Sequence, residues 1–145
     1  PLSHYLAQAT GWVIRNRKKR SQGEVLSLAI VEISGSSVAG NVNLTRFSDD
    51  GREAALGYWL LPTARGRGLA SAAARALTNW GFDAMGLKRI ELPILPENTA
   101  SRRVAERLGA TPEGLRRNSH EAGGRWWDME IYALDAPDGL VGPDR

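Results

Sequence analysis

The 145-residue sequence has no cysteine, which excludes disulfides and thiolate metal sites. Its two histidines, His4 and His120, lie too far apart for any metal-ligand spacing, so no metal is expected. No apolar run approaches the roughly 18 residues of a membrane-spanning helix. The N-terminus also lacks the charged-then-apolar order of a signal peptide. A cytoplasmic location without membrane contact is the default expectation. Internal repeats and low-complexity domains are absent as well. The chain opens on Pro1 rather than Met, which fits a processed or truncated form.

What is present suits one globular domain. Hydrophobic residues make up 42% and charged residues 24%, and a chain of this length buries roughly two thirds of its unfolded surface. A single domain is expected over residues 1–134, followed by a mobile tail at 135–145 rich in Pro, Gly and Asp. Net charge is +3. The densest basic run is Arg15-Asn16-Arg17-Lys18-Lys19-Arg20. It reads as a solvated helix end, where cations complement the macrodipole. A nucleic-acid partner is disfavoured because no aromatics interleave with these charges.

Periodicity predicts a helix over Leu2 to Arg20, closed by Ser21-Gln22-Gly23. Strands are predicted at Val25–Ile33, at Val38–Leu44 with one solvated face, and at Ala54–Leu61 before Pro62. Turns at Ser34-Gly35-Ser36 and Asp49-Asp50-Gly51 join these three into an antiparallel meander. A helix follows with Leu69, Ala73, Ala76, Leu77 and Trp80 inward, ending near Met85-Gly86. Then come a strand at Arg89–Leu95 and a helix at Thr99–Leu108 with Ala100, Val104, Ala105 and Leu108 inward and Gly109 as its cap. Two strands, Gly114–His120 and Trp126–Leu134, join around Gly123-Gly124. Trp59 and Trp80 are expected to pack, and Trp126 and Trp127 to face opposite sides of their strand. The fold class is therefore α/β (α+β mixed), a central mixed, mostly antiparallel sheet flanked by helices.

Between the third strand and its helix lies Arg65-Gly66-Arg67-Gly68-Leu69-Ala70. Its glycines let the backbone approach a ligand closely. The following helix points its free N–H groups and positive dipole end at the loop, and Arg65 and Arg67 add bidentate cations. This describes a pyrophosphate cradle. It is neither a Walker loop nor a Gly-x-Gly-x-x-Gly dinucleotide turn, which demotes nucleotide hydrolysis and hydride transfer.

Arg65-x-x-Gly68-x-Ala70 resembles the pyrophosphate-binding signature of the GNAT N-acetyltransferases. The preceding Leu56-Gly57-Tyr58-Trp59-Leu60-Leu61-Pro62 is similar to the family's splayed strand, whose backbone pairs with the pantetheine arm. Downstream, Pro96-Glu97-Asn98-Thr99-Ala100-Ser101, Glu106-Arg107-Leu108-Gly109-Ala110 and Glu113-Gly114 resemble the RimJ/RimL-like branch, which acetylates protein N-termini. Trp127-Asp128-Met129-Glu130-Ile131-Tyr132 resembles that branch's closing strand. The resemblance covers roughly Val25 to Leu134. It implies a GNAT fold, acetyl-CoA as co-substrate, and an amine acceptor, with a protein N-terminus foremost; a homodimer is compatible with it. It places cofactor contacts at Trp59, Leu60, Leu61, Arg65, Gly66, Arg67, Gly68, Leu69, Ala70, Asn98, Ser101 and Arg103. Two departures stand out. The family's first strand and helix are expected to precede Pro1. Pro93 falls inside a predicted strand, where it cannot donate to a ladder; in the GNAT fold the strand splays there.

Acyl transfer to an amine needs a neutral amine, a stabilised oxyanion and a leaving thiolate that is protonated or solvated. The resemblance implies a backbone N–H near Trp59 to Leu61 as oxyanion donor and Ser101 as a hydroxyl at the sulfur. Ser101 reads equally as a helix-capping hydroxyl, and Asn98 as a cap, a pantetheine ligand or both. Aligned on the branch's sixth strand, His120 takes the place of a catalytic Glu and is the candidate base, with Glu53 as the other. Competing readings are the same fold acting on a small-molecule amine, a succinyl-CoA donor met by Arg116, Arg117 or Arg125, and a non-catalytic basic RNA-binding module.

Overall fold

A computed structural model describes residues 22–34 and 37–138. The element order is β1 (Val25–Val31), β2 (Val38–Thr45), β3 (Glu53–Leu60), a 3-10 turn (Pro62–Ala64), α1 (Leu69–Met85), β4 (Arg89–Ile94), α2 (Thr99–Leu108), β5 (Thr111–Ala122) and β6 (Arg125–Asp135). Six strands form one sheet in the order β1-β2-β3-β4-β6-β5. Every pairing is antiparallel except β3 with β4. The strands and helices predicted from Val25 onward appear within a few residues of their expected limits. The helix expected over Leu2 to Arg20, its basic run and Trp12 lie outside the described residues, as do Gly35 and Ser36 of the first turn.

Apolar residues at alternate strand positions build the core against α1. Leu44, Leu87, Ile90 and Leu92 are its largest fully buried side chains. Gly81 is the contact point: a Cβ there would stand 3.0 Å from Leu87, 3.4 Å from Ile90 and 3.5 Å from Leu44. This corrects the expected helix face. Ala70, Ala74, Leu77, Gly81 and Phe82 turn inward, whereas Ala76 is exposed and Trp80 keeps 49% of its surface. The missing side chain at Gly81 brings the helix against the sheet and swings its neighbour Trp80 outward. In α2, Val104 and Ala105 are buried and Ala100 is exposed.

Strand β2 also departs from the expectation of a solvated face. Asn41 is buried at 5%, and its Nδ2 donates to Ser27 Oγ and to the Leu28 carbonyl, both at 2.8 Å. Asn43 Nδ2 donates to Asn41 Oδ1 at 3.0 Å. A polar side chain is tolerated there because its hydrogen-bonding groups find partners.

The feature that shapes the site is how little β3 and β4 touch. They pair only through Glu53↔Arg89, Ala54↔Ile90 and Ala55↔Glu91, after which the strands splay. Pro93 lies two residues beyond the last of these rungs, in register with Ile131 of β6. Its missing N–H therefore costs no bond to β3, as the resemblance implied.

On the sheet face away from the helices, Arg116 donates twice to Glu91. Arg89 bridges Glu91 and Glu113. The Glu91 carboxyl is held below its ordinary range chiefly by the Arg116 hydrogen bonds and then by Arg89, against the opposing effect of burial. A carboxylate whose folded-state pKa is depressed stabilises the fold above its unfolded value, about 4.3, and loses that contribution as pH falls through the folded value. Thermal melts from pH 7 to pH 3.5 should therefore show Glu91→Gln less stable than the parent at neutral pH and less sensitive to acid. Equal slopes for the two proteins would refute this. At Gly40, a Cβ would stand 2.1 Å from the Trp59 carbonyl and 2.9 Å from Leu60 Cα, backbone atoms that cannot yield locally. Gly40→Ala should cost about 1–3 kcal/mol in urea denaturation.

Candidate active site

The splay opens a cleft of about 720 Å³ between the end of β3, the loop entering α1 and the first turns of α2. The loop turns on Gly66 (φ +76°) and Gly68 (φ +75°), left-handed conformations that disfavour other residues. Gly68 occupies the N-cap of α1 and supplies no side-chain cap. The first-turn amides of α1 therefore lack intrahelical partners, and Leu69, Ala70 and Ser71 border the cleft. Among the described residues four arginines, Arg65, Arg67, Arg103 and Arg107, line it, and no acidic residue or histidine does. The arrangement favours a ligand carrying several negative charges.

The cations differ in their freedom. Arg67 is bound bidentately by Glu32 at 2.8 and 2.7 Å, and this hydrogen bonding holds the Glu32 carboxyl below its usual range. Arg65 donates through Nε to the Leu60 carbonyl at 3.3 Å, leaving its terminal nitrogens at the cleft. Arg103 and Arg107 stand one helical turn apart on α2, a spacing readable from sequence, although only Arg103 was singled out there.

Asn98 caps α2: its Oδ1 accepts the Ser101 N–H at 3.1 Å. Asn98 and Ser101 thus both line the cleft, with Ser101 in the first turn of its helix. On β3 the expected oxyanion donor narrows to one amide. The Leu61 N–H donates to the Ala39 carbonyl at 2.8 Å, and amides alternate in direction along an antiparallel strand. The Leu60 N–H therefore points away from β2, into the splay. Trp59 is 46% exposed beside the cleft rather than packed in the core.

Two further residues that border the same cleft, Tyr58 and Ser71, carry hydroxyls. Both hydroxyls are buried without a hydrogen-bond partner. A buried unsatisfied hydroxyl is costly, and two at one cleft fit a site completed by a polar ligand. Neither was picked out from sequence. Tyr58 carries a readable signal: it shares a strand face with Leu56 and Leu60, so its hydroxyl enters a buried layer and needs a partner.

The two candidate bases lie elsewhere. Glu53 begins β3, roughly 16 Å along the strand from Tyr58, and its N–H is bound by Ser48 Oγ. His120 sits on the β5–β6 hairpin, which continues beyond the end of β4. A register break between Arg116 and His120, with Asn118 at φ +44° and its N–H held by Asp128, bends the hairpin back. His120 Nδ1 then lies 2.8 Å from Arg46 Nη2. A guanidinium only donates, so Nδ1 accepts and the neutral ring carries its proton on Nε2. The lone pair a base would use is already engaged.

A mixed sheet parted between two parallel strands, with an anion-receptive helix start on one lip, is the architecture of an acyltransferase that holds a phosphate-rich donor. The chain belongs to the GNAT family: the profile described as Acetyltransferase (GNAT) domain matches residues 2–111. It is similar to YjcK of Bacillus subtilis, provisionally assigned as an N-acetyltransferase, with 28% identity over 123 residues covering 84% of this chain and 68% of that protein. A Vibrio cholerae structure provisionally assigned as a ribosomal-protein-serine acetyltransferase superposes with a TM-score of 0.81 at 26% identity, covering 86% of this chain and 72% of that one. The structure of Mycobacterium smegmatis RimJ in complex with CoA-disulfide gives a TM-score of 0.76 at 30% identity, covering 92% and 62%. The chain thus spans about two thirds of the length of these relatives. Its reaction class is N-acetyl transfer, and the RimJ/RimL resemblance holds. Among the described residues no helix is long and apolar enough to cross a membrane, and no group of three potential metal ligands occurs.

Removing the Asn98 carboxamide should cost about 0.5–2 kcal/mol of stability through the lost cap. In urea denaturation Asn98→Ala should show that loss and Asn98→Asp should recover most of it. A neutral alanine variant would refute the capping role.

Proposed function

We propose that this domain binds acetyl-CoA in the cleft and passes the acetyl group to the α-amine of a protein or peptide N-terminus. One observation carries the proposal: the uncapped first turn of α1, the partnerless Ser71 hydroxyl and four arginines surround one cleft. In this reading the amides of Leu69, Ala70 and Ser71, with Arg65, grip the diphosphate. Gly66 and Gly68 let the main chain approach it, and Arg67 steers through its residual field while paired to Glu32. Arg103 and Arg107 meet further phosphate. Trp59, Leu60 and Leu61 lie along the pantetheine arm, joined by Asn98. The Leu60 N–H faces the developing oxyanion, and Ser101 offers its hydroxyl to the leaving sulfur.

Proton chemistry supports this acceptor class. Among the described residues no carboxylate or imidazole borders the cleft. An α-amine titrates near ~7.7–8 and a lysine near ~10.4, so a neutral lysine costs about 3–4 kcal/mol more. A site without an adjoining base suits the amine that is already partly neutral. The provisional assignment of the Vibrio cholerae relative to ribosomal-protein serine agrees with this class. A succinyl donor has less support, because Arg116 is bound to Glu91 and Arg125 stacks over Trp127 at 4.4 Å.

In a thermal-shift assay, acetyl-CoA at a hundred times its Kd should add about 2.7 kcal/mol of stability. Thiol release from acetyl-CoA should then be accelerated by peptides beginning with Ser or Ala. The same peptides with a blocked N-terminus and an internal lysine should give no acceleration. Faster turnover of the lysine peptide or of spermidine would overturn the acceptor assignment; no stabilisation by acetyl-CoA would overturn the cleft itself.

A further inference from the structure

Tyr58 is the cleft residue that this reading leaves without a task. It stands on β3 three residues past the last rung to β4, on the strand face that carries Leu56 and Leu60. Its side chain points toward α2, where the Ser101 hydroxyl is the neighbour that acts on it. Burial pushes the Tyr58 phenol above its ordinary pKa, and Ser101 partly offsets this. The phenol therefore remains a donor throughout the neutral range. Yet the two hydroxyls fall outside hydrogen-bond geometry, and Tyr58 Oη has no partner. Tight packing around α2 does not explain such a group: phenylalanine would fill the same space without burying an unsatisfied hydroxyl.

Ser101 has the complementary problem. Its N–H is fixed by Asn98, but its Oγ has three staggered positions open to it, and a helical serine can turn back to bond its own backbone. A donor facing it across the splay selects one rotamer. It also occupies a lone pair, so that the serine proton points elsewhere. We propose that Tyr58 is a positioning residue: its phenol O–H donates to Ser101 Oγ across the open edge of the sheet, aiming the Ser101 proton at the sulfur of the thioester. No proton leaves Tyr58, and a small rotation of the serine closes the contact. Catalytic hydrogen bonds commonly tighten in this way along the reaction path. The inference rests on the reading of Ser101 given under the proposed function.

Tyr58→Phe, Ser101→Ala and the double variant separate the two. With acetyl-CoA and a Ser-initiated peptide, Tyr58→Phe should lower kcat about tenfold while KM for acetyl-CoA stays within about twofold, a modest share of what general acid–base groups contribute. Because Tyr58 acts through Ser101, the double variant should be no slower than Ser101→Ala alone. Thermal melts should show Tyr58→Phe as stable as the parent or more so, since the change removes an orphaned hydroxyl; a merely structural hydroxyl would lower Tm and leave kcat alone. An active Tyr58→Phe beside an impaired Ser101→Ala overturns the inference and spares the reading of Ser101. So does a double variant that multiplies the two losses. A fully active Ser101→Ala overturns both.

Discussion

The structure depends on a sheet that is prevented from closing. Strands β3 and β4 run parallel and share only three rungs, so the backbone of Tyr58 to Leu60 leaves the ladder while still anchored to β2 on its other side. A strand with one edge satisfied and the other open offers fixed amides at no further ordering cost, which is what an extended ligand arm and a developing oxyanion both require. Proline at position 93 belongs to the same design. It sits where β4 has already left β3, and it cannot offer an N–H that would draw the two strands together.

The described arginines and the free amides of α1 that border the cleft lie on the lips of that opening. Gly68 ends the loop in a left-handed conformation and hands the chain to α1 without a capping side chain. A Ser, Asp or Asn at this N-cap would satisfy the first-turn amides internally, and the anion site would then compete with the cap. The opposite choice is made on the other lip, where Asn98 does cap α2. The two helix starts, so alike in sequence position after a strand, are differentiated by this one feature. The first keeps its amides free, while the second has one engaged by Asn98 and presents side chains. The division matches what a thioester-linked nucleotide needs at its two ends.

The strands and helices between Val25 and Asp135 were legible in the sequence because their apolar periods are regular and their ends carry Gly, Pro or Asn. The glycine turn entering α1 was legible too, since its geometry comes from adjacent residues in one loop. Errors came where a contact depended on distant chain segments. Trp80 seemed a core residue by spacing from Leu77, but the close approach belongs to Gly81, and only the positions of Leu87, Ile90 and Leu44 reveal it. Asn41 looked solvent-facing until β1 supplied partners for its amide. Arg67 looked like a free cation, and its pairing with Glu32, 35 residues away, has no local signature. Tyr58 was read for its backbone alone, because nothing nearby in sequence says that its hydroxyl meets α2.

His120 shows the same limit in a sharper form. Alignment of a strand position predicts which residue occupies a place on the ladder, but not where a bent ladder points. The break between Arg116 and His120 turns the hairpin tip toward Arg46, so the imidazole reaches β2 rather than the cleft. The Nδ1 lone pair is already taken up by the Arg46 guanidinium, so it is not free to receive an acceptor's proton. If proton removal from the acceptor proceeds without an adjoining base, the cost falls on the amine's own pKa. The cleft then selects for amines by acidity as well as by shape. Selection by acidity needs no dedicated pocket, and it favours a chain terminus over a lysine on any protein surface.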